Sequence, residues 1–197
     1  MMSQQGTLRA FIAIEVPTDI TEALVEAERT LQTQCRAGVK WVPAQSMHLT
    51  LKFLGDVALT QLPEVIAAVE HEAMGAHPLH LAVASFGAFP NRSQPRVVWA
   101  GLAGDIEELS SLASRIDVRL HRMGFPLDTR PFAPHLTLGR VRQEVPVVDR
   151  RALGYAVAAL SVAPGLEFRA DSVNVMRSEL RPEGAEYTRL SSSTFVE

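Results

Sequence analysis

Apolar and polar positions along the chain follow two periods, one of strands and one of helices. Residues 8–16 form a continuous β-rich apolar run closed by Pro17, which predicts a strand. Thr18 or Asp19 is placed to cap a helix, and residues 20–31 repeat apolar positions at helical spacing. Gly38 closes that helix or its loop, and Lys40-Trp41-Val42-Pro43 is extended, because proline disfavours helix before it. Residues 47–54 alternate and predict a strand ended by Gly55-Asp56. Residues 60–74 are helical in pattern, with Pro63 tolerated in the first turn. A strand over 79–86, a loop over 87–95 and a strand over 96–102 come next, then the longest helix, 105–123, ending at Gly124. Arg130-Pro131-Phe132-Ala133-Pro134 is a stiff lead-in to a strand over 135–141. A helix over 147–160, despite Gly154, precedes two final strands, 166–180 and 186–195, joined by a turn carrying Arg181-Pro182-Glu183-Gly184.

Strands and helices interleaved with hairpin-like pairs predict an α+β fold rather than a doubly wound parallel sheet. No glycine-rich phosphate loop follows any strand, so dinucleotide-binding and P-loop readings lack support.

Within this frame one tetrapeptide occurs twice: His48-Leu49-Thr50-Leu51 and His135-Leu136-Thr137-Leu138. With six histidines in a chain 47% hydrophobic, the pattern His-apolar-Thr-apolar is expected about 0.07 times by chance, so two copies are an event of a few in a thousand. On a strand, residues i and i+2 share a face. Each copy therefore sets an imidazole beside a hydroxyl on one side and two leucines into a core on the other. Each follows a proline-bearing extended segment and precedes a helix. This weak repeat predicts two related lobes, each giving one strand (47–54 and 135–141) to a shared central cleft. No linker separates them, so residues 1–197 read as a single bilobal domain.

Charge narrows what the cleft accepts. The net charge of −3 does not suit a protein that coats long nucleic acid, since that affinity comes from neutralising many phosphates. A polyanionic substrate has to be gripped locally, by an end or as a small nucleotide. Cys35 is the single cysteine, which excludes an internal disulfide framework and fits a reducing, cytoplasmic setting. No stretch reaches the length of a membrane span, and the short run 11–14 before Glu15 reads as strand rather than signal peptide. No protein partner is evident.

Two imidazoles facing one cleft suit a reaction needing a base and an acid in turn, because imidazole titrates near neutrality. Opening of a cyclic phosphodiester is the natural candidate. One histidine takes a proton from water, the other protonates the departing ribose oxygen, and Thr50 and Thr137 donate to non-bridging phosphate oxygens. The chemistry requires no metal or other cofactor, and strand-borne metal ligands more often come as His-x-His or beside Asp, Glu or Cys. The residues alone do not say which histidine is acid and which base.

The flanks extend the pattern: Leu8-Arg9-Ala10-Phe11-Ile12-Ala13-Ile14, Trp41-Val42-Pro43, Lys52-Phe53-Leu54-Gly55 after the first motif, Arg96-Val97-Val98-Trp99-Ala100-Gly101, Arg130-Pro131-Phe132-Ala133-Pro134 before the second motif and Gly139-Arg140 after it, and Ser178-Glu179-Leu180. Together these resemble the 2H phosphoesterase superfamily, within it the bacterial and archaeal RNA 2′,3′-cyclic phosphodiesterases, also called 2′-5′ RNA ligases. The resemblance implies a bilobal fold with a pseudo-two-fold axis between lobes of antiparallel sheet flanked by helices. It implies opening of 2′,3′-cyclic phosphate at RNA 3′ ends, or on small cyclic nucleotides, to a 2′-phosphate, with His48 as proton donor and His135 as proton acceptor. ATP-independent 2′-5′ joining of RNA ends is the corresponding transfer with a ribose hydroxyl in place of water. Two other readings keep the cleft: a non-catalytic RNA-end or nucleotide-binding module, and a related phosphodiesterase acting on 2′-5′ oligonucleotides.

The resemblance also makes Arg140 a phosphate contact, and Arg130 a candidate for a second. Lys52 shares the face of His48 and Thr50 by strand parity and is a further candidate phosphate neighbour. Phe11, Trp41, Phe53 and Phe132 are suited to stacking a base, although such spacings first suggest core. His71, His77, His80 and His121 read as surface or capping residues.

Overall fold

The computed structural model describes residues 6–35, 38–181 and 185–197. Its nine strands form one sheet in which every neighbouring pair is antiparallel. In chain order the elements are β1 (Thr7–Glu15), α1 (Thr18–Gln34), β2 (Val39–Trp41), a 3-10 turn (Ala44–Ser46), β3 (His48–Ala58), α2 (Leu62–Ala73), β4 (Leu79–Phe89), β5 (Val97–Gly104), α3 (Ile106–His121), β6 (His135–Val141), α4 (Val147–Ala159), β7 (Glu167–Ala170), β8 (Ser172–Leu180) and β9 (Ala185–Thr194).

The strand order is β7-β4-β5-β6-β3-β1-β8-β9, with β2 paired to β6. Read outward from the centre, β6-β5-β4-β7 mirrors β3-β1-β8-β9, so a pseudo-two-fold axis relates the halves. It passes through the Leu49–Leu136 pair, the one pair that joins β3 to β6. Beyond it β2 takes over the free side of β6, with Trp41 opposite Gly139. The helices obey the same symmetry. Helices α1 and α4 pack on each other, α1 touching β6 and α4 touching β4, while α2 and α3 pack on each other, α3 touching β3 and α2 touching β8. Thus α1 and α3, which follow β1 and β5, each cross beneath the other half of the sheet.

The main core lies between sheet and helices, and Leu49, Leu51, Leu136 and Leu138 are all in it. The opposite face of the sheet is open, and its buried apolar cluster among the described residues is small: Phe11, Ala13 and Met176, with Tyr187 against it. Burying one side of an antiparallel sheet and leaving the other free is what makes a surface for a site.

Several expected boundaries shift. Neither Thr18 nor Asp19 caps α1 through its side chain. Strand β3 continues through Gly55-Asp56 to Ala58, Gly55 taking φ +70°. Gly87 lies inside β4, where the Trp99 indole covers it closely enough that a Cβ would fall 2.2 Å from the ring, so this glycine serves packing rather than a turn. Gly154 has a similar reason: a Cβ there would meet the Arg92 carbonyl at 1.8 Å, and the 90–96 loop docks on α4 at that point. The expected strand 166–180 is two strands, split at Asp171, the first pairing with β4 and the second with β1. Of the turn expected at 181–184, residues 182–184 lie outside the described residues. No helix of the described residues is long and apolar enough to cross a membrane.

Candidate active site

Antiparallel pairing of Leu49 with Leu136 places the residues on either side in register, His48 across from Thr137 and Thr50 across from His135. The four polar side chains form a square on the open face, its histidines at diagonal corners. In a regular ladder such diagonal positions are about 7–8 Å apart, room for one tetrahedral group. All four line a single cavity of about 370 Å³.

The proline-bearing lead-ins orient the rings. His48 donates Nδ1–H to the Ser46 carbonyl at 2.8 Å, and His135 donates Nδ1–H to the Ala133 carbonyl at 2.7 Å. Each ring is thus held by the carbonyl two residues upstream, and Nε2, with no partner among the described residues, is left for chemistry. Phe11 tilts against the His48 ring at 4.7 Å and Tyr187 meets it edge-on at 5.0 Å. Phe89 meets His135 edge-on at 5.0 Å, and Trp99 lies at 6.5 Å. Burial pushes the His48 imidazole below its ordinary pKa. The hydrogen bond to Ser46 and the nearby Glu15 charge act against that shift, and the charges of Arg140 and His135 add to it.

A bulge in each central strand decides which residues join the motif. On β3 the partner of Ala13 is Thr50 and that of Ile12 is Lys52, so Leu51 is an extra residue. On β6 the partner of Trp99 is Thr137 and that of Val98 is Gly139, so Leu138 is the equivalent extra residue. A bulge reverses the alternation beyond it. Phe53 and Arg140 therefore turn to the cleft at equivalent positions, and Lys52 and Gly139 turn to the core side.

This corrects the expectation for Lys52. It is only 2% exposed, ion-paired with Asp117 of α3, donating to the Pro126 carbonyl at 2.8 Å and 3.8 Å from the Asp128 carboxylate. It is a structural cation and faces away from the cleft. Arg130 is exposed and outside the cavity wall, whereas Arg140 lines it. Of the four aromatics, Trp41 and Phe132 pack on the main core, Phe11 backs His48, and Phe53 presents its ring to the cleft at 64% exposure. Arg9, Phe89, Ser178 and Tyr187, to which the sequence alone assigned no site role, also line the cavity. They come from strands up to 139 residues from His48, and only the tertiary pairing joins them. The other histidines stay outside: His77 bonds the Val196 carbonyl, His121 the Phe125 carbonyl, and His71 meets Arg119. Cys35 reaches the Asp149 carbonyl, also away from the cleft.

A pseudo-symmetric sheet presenting one His-Thr pair from each half can set two acid/base groups around a small anionic group. Comparison with known proteins gives the family. The chain matches the family described as LigT-like phosphoesterase over residues 14–99 and again over 102–187, one match around each His-Leu-Thr-Leu motif. A protein of Methanothermobacter thermautotrophicus named RNA 2′,3′-cyclic phosphodiesterase is 33% identical over 92% of this chain and 95% of its own length. One of the same name from Thermus thermophilus is 34% identical over 93% of this chain and 88% of its own. Among solved structures, a Thermus thermophilus protein superposes with a TM-score of 0.79 at 29% identity, covering 95% of this chain and 98% of that one. E. coli LigT complexed with 3′-AMP superposes at 0.78 and 23% identity, covering 98% of this chain and all of that one, a likeness of fold. This chain belongs to the LigT-like phosphoesterase family.

Proposed function

We propose that this protein hydrolyses 2′,3′-cyclic phosphodiester ends of RNA to 2′-phosphomonoesters, using His48 and His135 as a metal-independent acid/base pair. The observation that carries the reading is the diagonal square of two Nδ1-anchored imidazoles and two threonines in one cavity. The relatives named RNA 2′,3′-cyclic phosphodiesterase support the substrate class.

In the proposed reaction Nε2 of His135 takes a proton from water as the oxygen attacks phosphorus. The P–O3′ bond breaks on the opposite side, and His48, as the imidazolium that the bound phosphate favours, gives its Nε2 proton to O3′, leaving the phosphate on O2′. Charge gathering on the non-bridging oxygens is met by the hydroxyls of Thr50 and Thr137 and by the Arg140 guanidinium. A ribose 5′-hydroxyl in place of water gives a 2′-5′ phosphodiester by the same bond exchange, which is the proposed route to ligation. The two halves act as one unit in this scheme, each supplying one histidine.

The test is a defined RNA ending in a 2′,3′-cyclic phosphate, incubated with and without EDTA and resolved for product isomers. The reading expects the 2′-phosphate at an undiminished rate in EDTA. A 3′-phosphate product, full loss of activity in EDTA, or tight binding without turnover contradicts it.

A further inference from the structure

The cavity continues past the four motif side chains, and the two halves differ there. Beyond Thr50 on the His48 side lie the exposed ring of Phe53, then Gly55, with Tyr187 and Ser178 opposite and Arg9 at the end. Ala13 pairs with Thr50, and Arg9, four residues along β1, stands beside Asp56 of β3 and Ser178 of β8. At about 3.3 Å per residue this puts the Arg9 backbone some 13 Å from the row of Thr50, a span that one nucleotide and a returning arginine side chain can bridge. Among the described residues Arg9 has no hydrogen-bond or ion-pair partner, and Asp56 beside it is not within ion-pair reach. The other arginines on this flank are neutralised: Arg177 by Glu179, Arg181 by Glu186 and Arg189 by Glu15. In the other half, the register that equates Val97 with Phe11 puts Pro95 at the place of Arg9, with no charge.

The order acid/base square, exposed aromatic, unpaired cation matches the order terminal phosphate, nucleoside, preceding phosphate along an RNA strand. We propose that Arg9 binds the phosphodiester on the 5′ side of the terminal nucleotide, whose base lies on Phe53. The cleft then selects an oligonucleotide end over a mononucleotide, and the strand leaves on the His48 side. This rests on the hydrolytic reading above and gives it a polarity: the ribose whose O3′ departs lies beside His48.

Stable product-like probes test this without turnover. Adenosine 2′-phosphate and adenylyl-(3′,5′)-adenosine 2′-phosphate are titrated into wild-type protein and Arg9→Gln over a range of salt. Wild type binds the dinucleotide at least tenfold tighter, and its log Kd against log salt is steeper by about 0.7, the increment for one more phosphate contact on a single strand. Arg9→Gln loses both the preference and the added slope, and Arg9→Lys regains the slope. Equal wild-type affinity for both probes, or a preference that survives Arg9→Gln, overturns the proposal. If the preference and its dependence on Arg9 hold while cyclic phosphate ends go unhydrolysed, the hydrolytic reading alone falls.

Discussion

Replacing Lys52 with methionine separates strand parity from the bulged register. Parity puts the ammonium beside the phosphate, whereas the register puts it in the core against Asp117 and the Pro126 carbonyl. Removing one partner of a buried ion pair costs about 3–5 kcal/mol, because the other charge stays desolvated. Asp117 keeps 18% side-chain exposure, accepts from the Asp128 backbone N–H at 3.3 Å, and Asp128 itself is 57% exposed. Water and that remaining donor relieve part of the penalty, so the lower end, about 3 kcal/mol, applies. For a chain of this size each kcal/mol lowers Tm by about 2–4 °C, so Lys52→Met melts about 6–12 °C below wild type. Adding Asp117→Leu removes the stranded carboxylate and restores more than half of the loss. Activity is measured well below the melting transition. There Lys52→Met keeps the salt slope of kcat/KM, whereas Arg140→Ala lowers it by about 0.7 for one lost phosphate contact. Unchanged Tm with a tenfold rise in KM and a reduced salt slope would refute the register argument.

Two further predictions concern pH. Glu28 is buried in α1 with Oε1 unpartnered, and burial raises its carboxyl pKa to about 8. A raised folded-state pKa means that this group's contribution is fully present below about 4.5 and is lost as pH rises toward 8, by up to about 1.4 kcal/mol per unit. Glu28→Gln should therefore melt progressively higher than wild type as pH rises through this window; a Tm difference independent of pH contradicts it. For His48, burial favours the neutral ring, so NMR titration of the free protein should place its midpoint below the ordinary imidazole value, and inorganic phosphate in the cleft should move it up. A midpoint at or above the ordinary value in the free protein counts against the buried setting.

The sequence made the face of each motif legible, because His-x-Thr alternation over a leucine underside leaves little choice of orientation. The proline-bearing lead-ins were equally legible as rigid segments, and their carbonyls hold both imidazoles. The strand segment just after each motif was not. Leu51-Lys52 has no bulge signature, Gly139 is the one local hint in β6, and the extra residue in each strand is defined by pairing with β1 and β5. Parity carried through those bulges assigned Lys52 to the wrong face and did not separate Phe53 from the aromatics that pack in the core. The split at Asp171 was hidden for a related reason: no glycine or proline marks it, and the two pieces diverge because each finds a different partner strand. Gly87 read as the start of a loop and Gly154 as a weak point in a helix, yet each makes room for a group distant in sequence or across the sheet.

The division of labour between two chemically identical motifs is the central claim, and a substrate with sulfur in place of O3′ tests it most directly. A thiolate with pKa near 8.5 departs without a proton, so it has no need of the general acid but still needs water activated. On the natural cyclic phosphate, His48→Ala and His135→Ala each lower kcat by about 10²–10⁴. On the thio substrate, His48→Ala should recover to within tenfold of wild type while His135→Ala stays impaired. Rescue of His135→Ala instead, or equal impairment of both variants on both substrates, contradicts His48 as the proton donor.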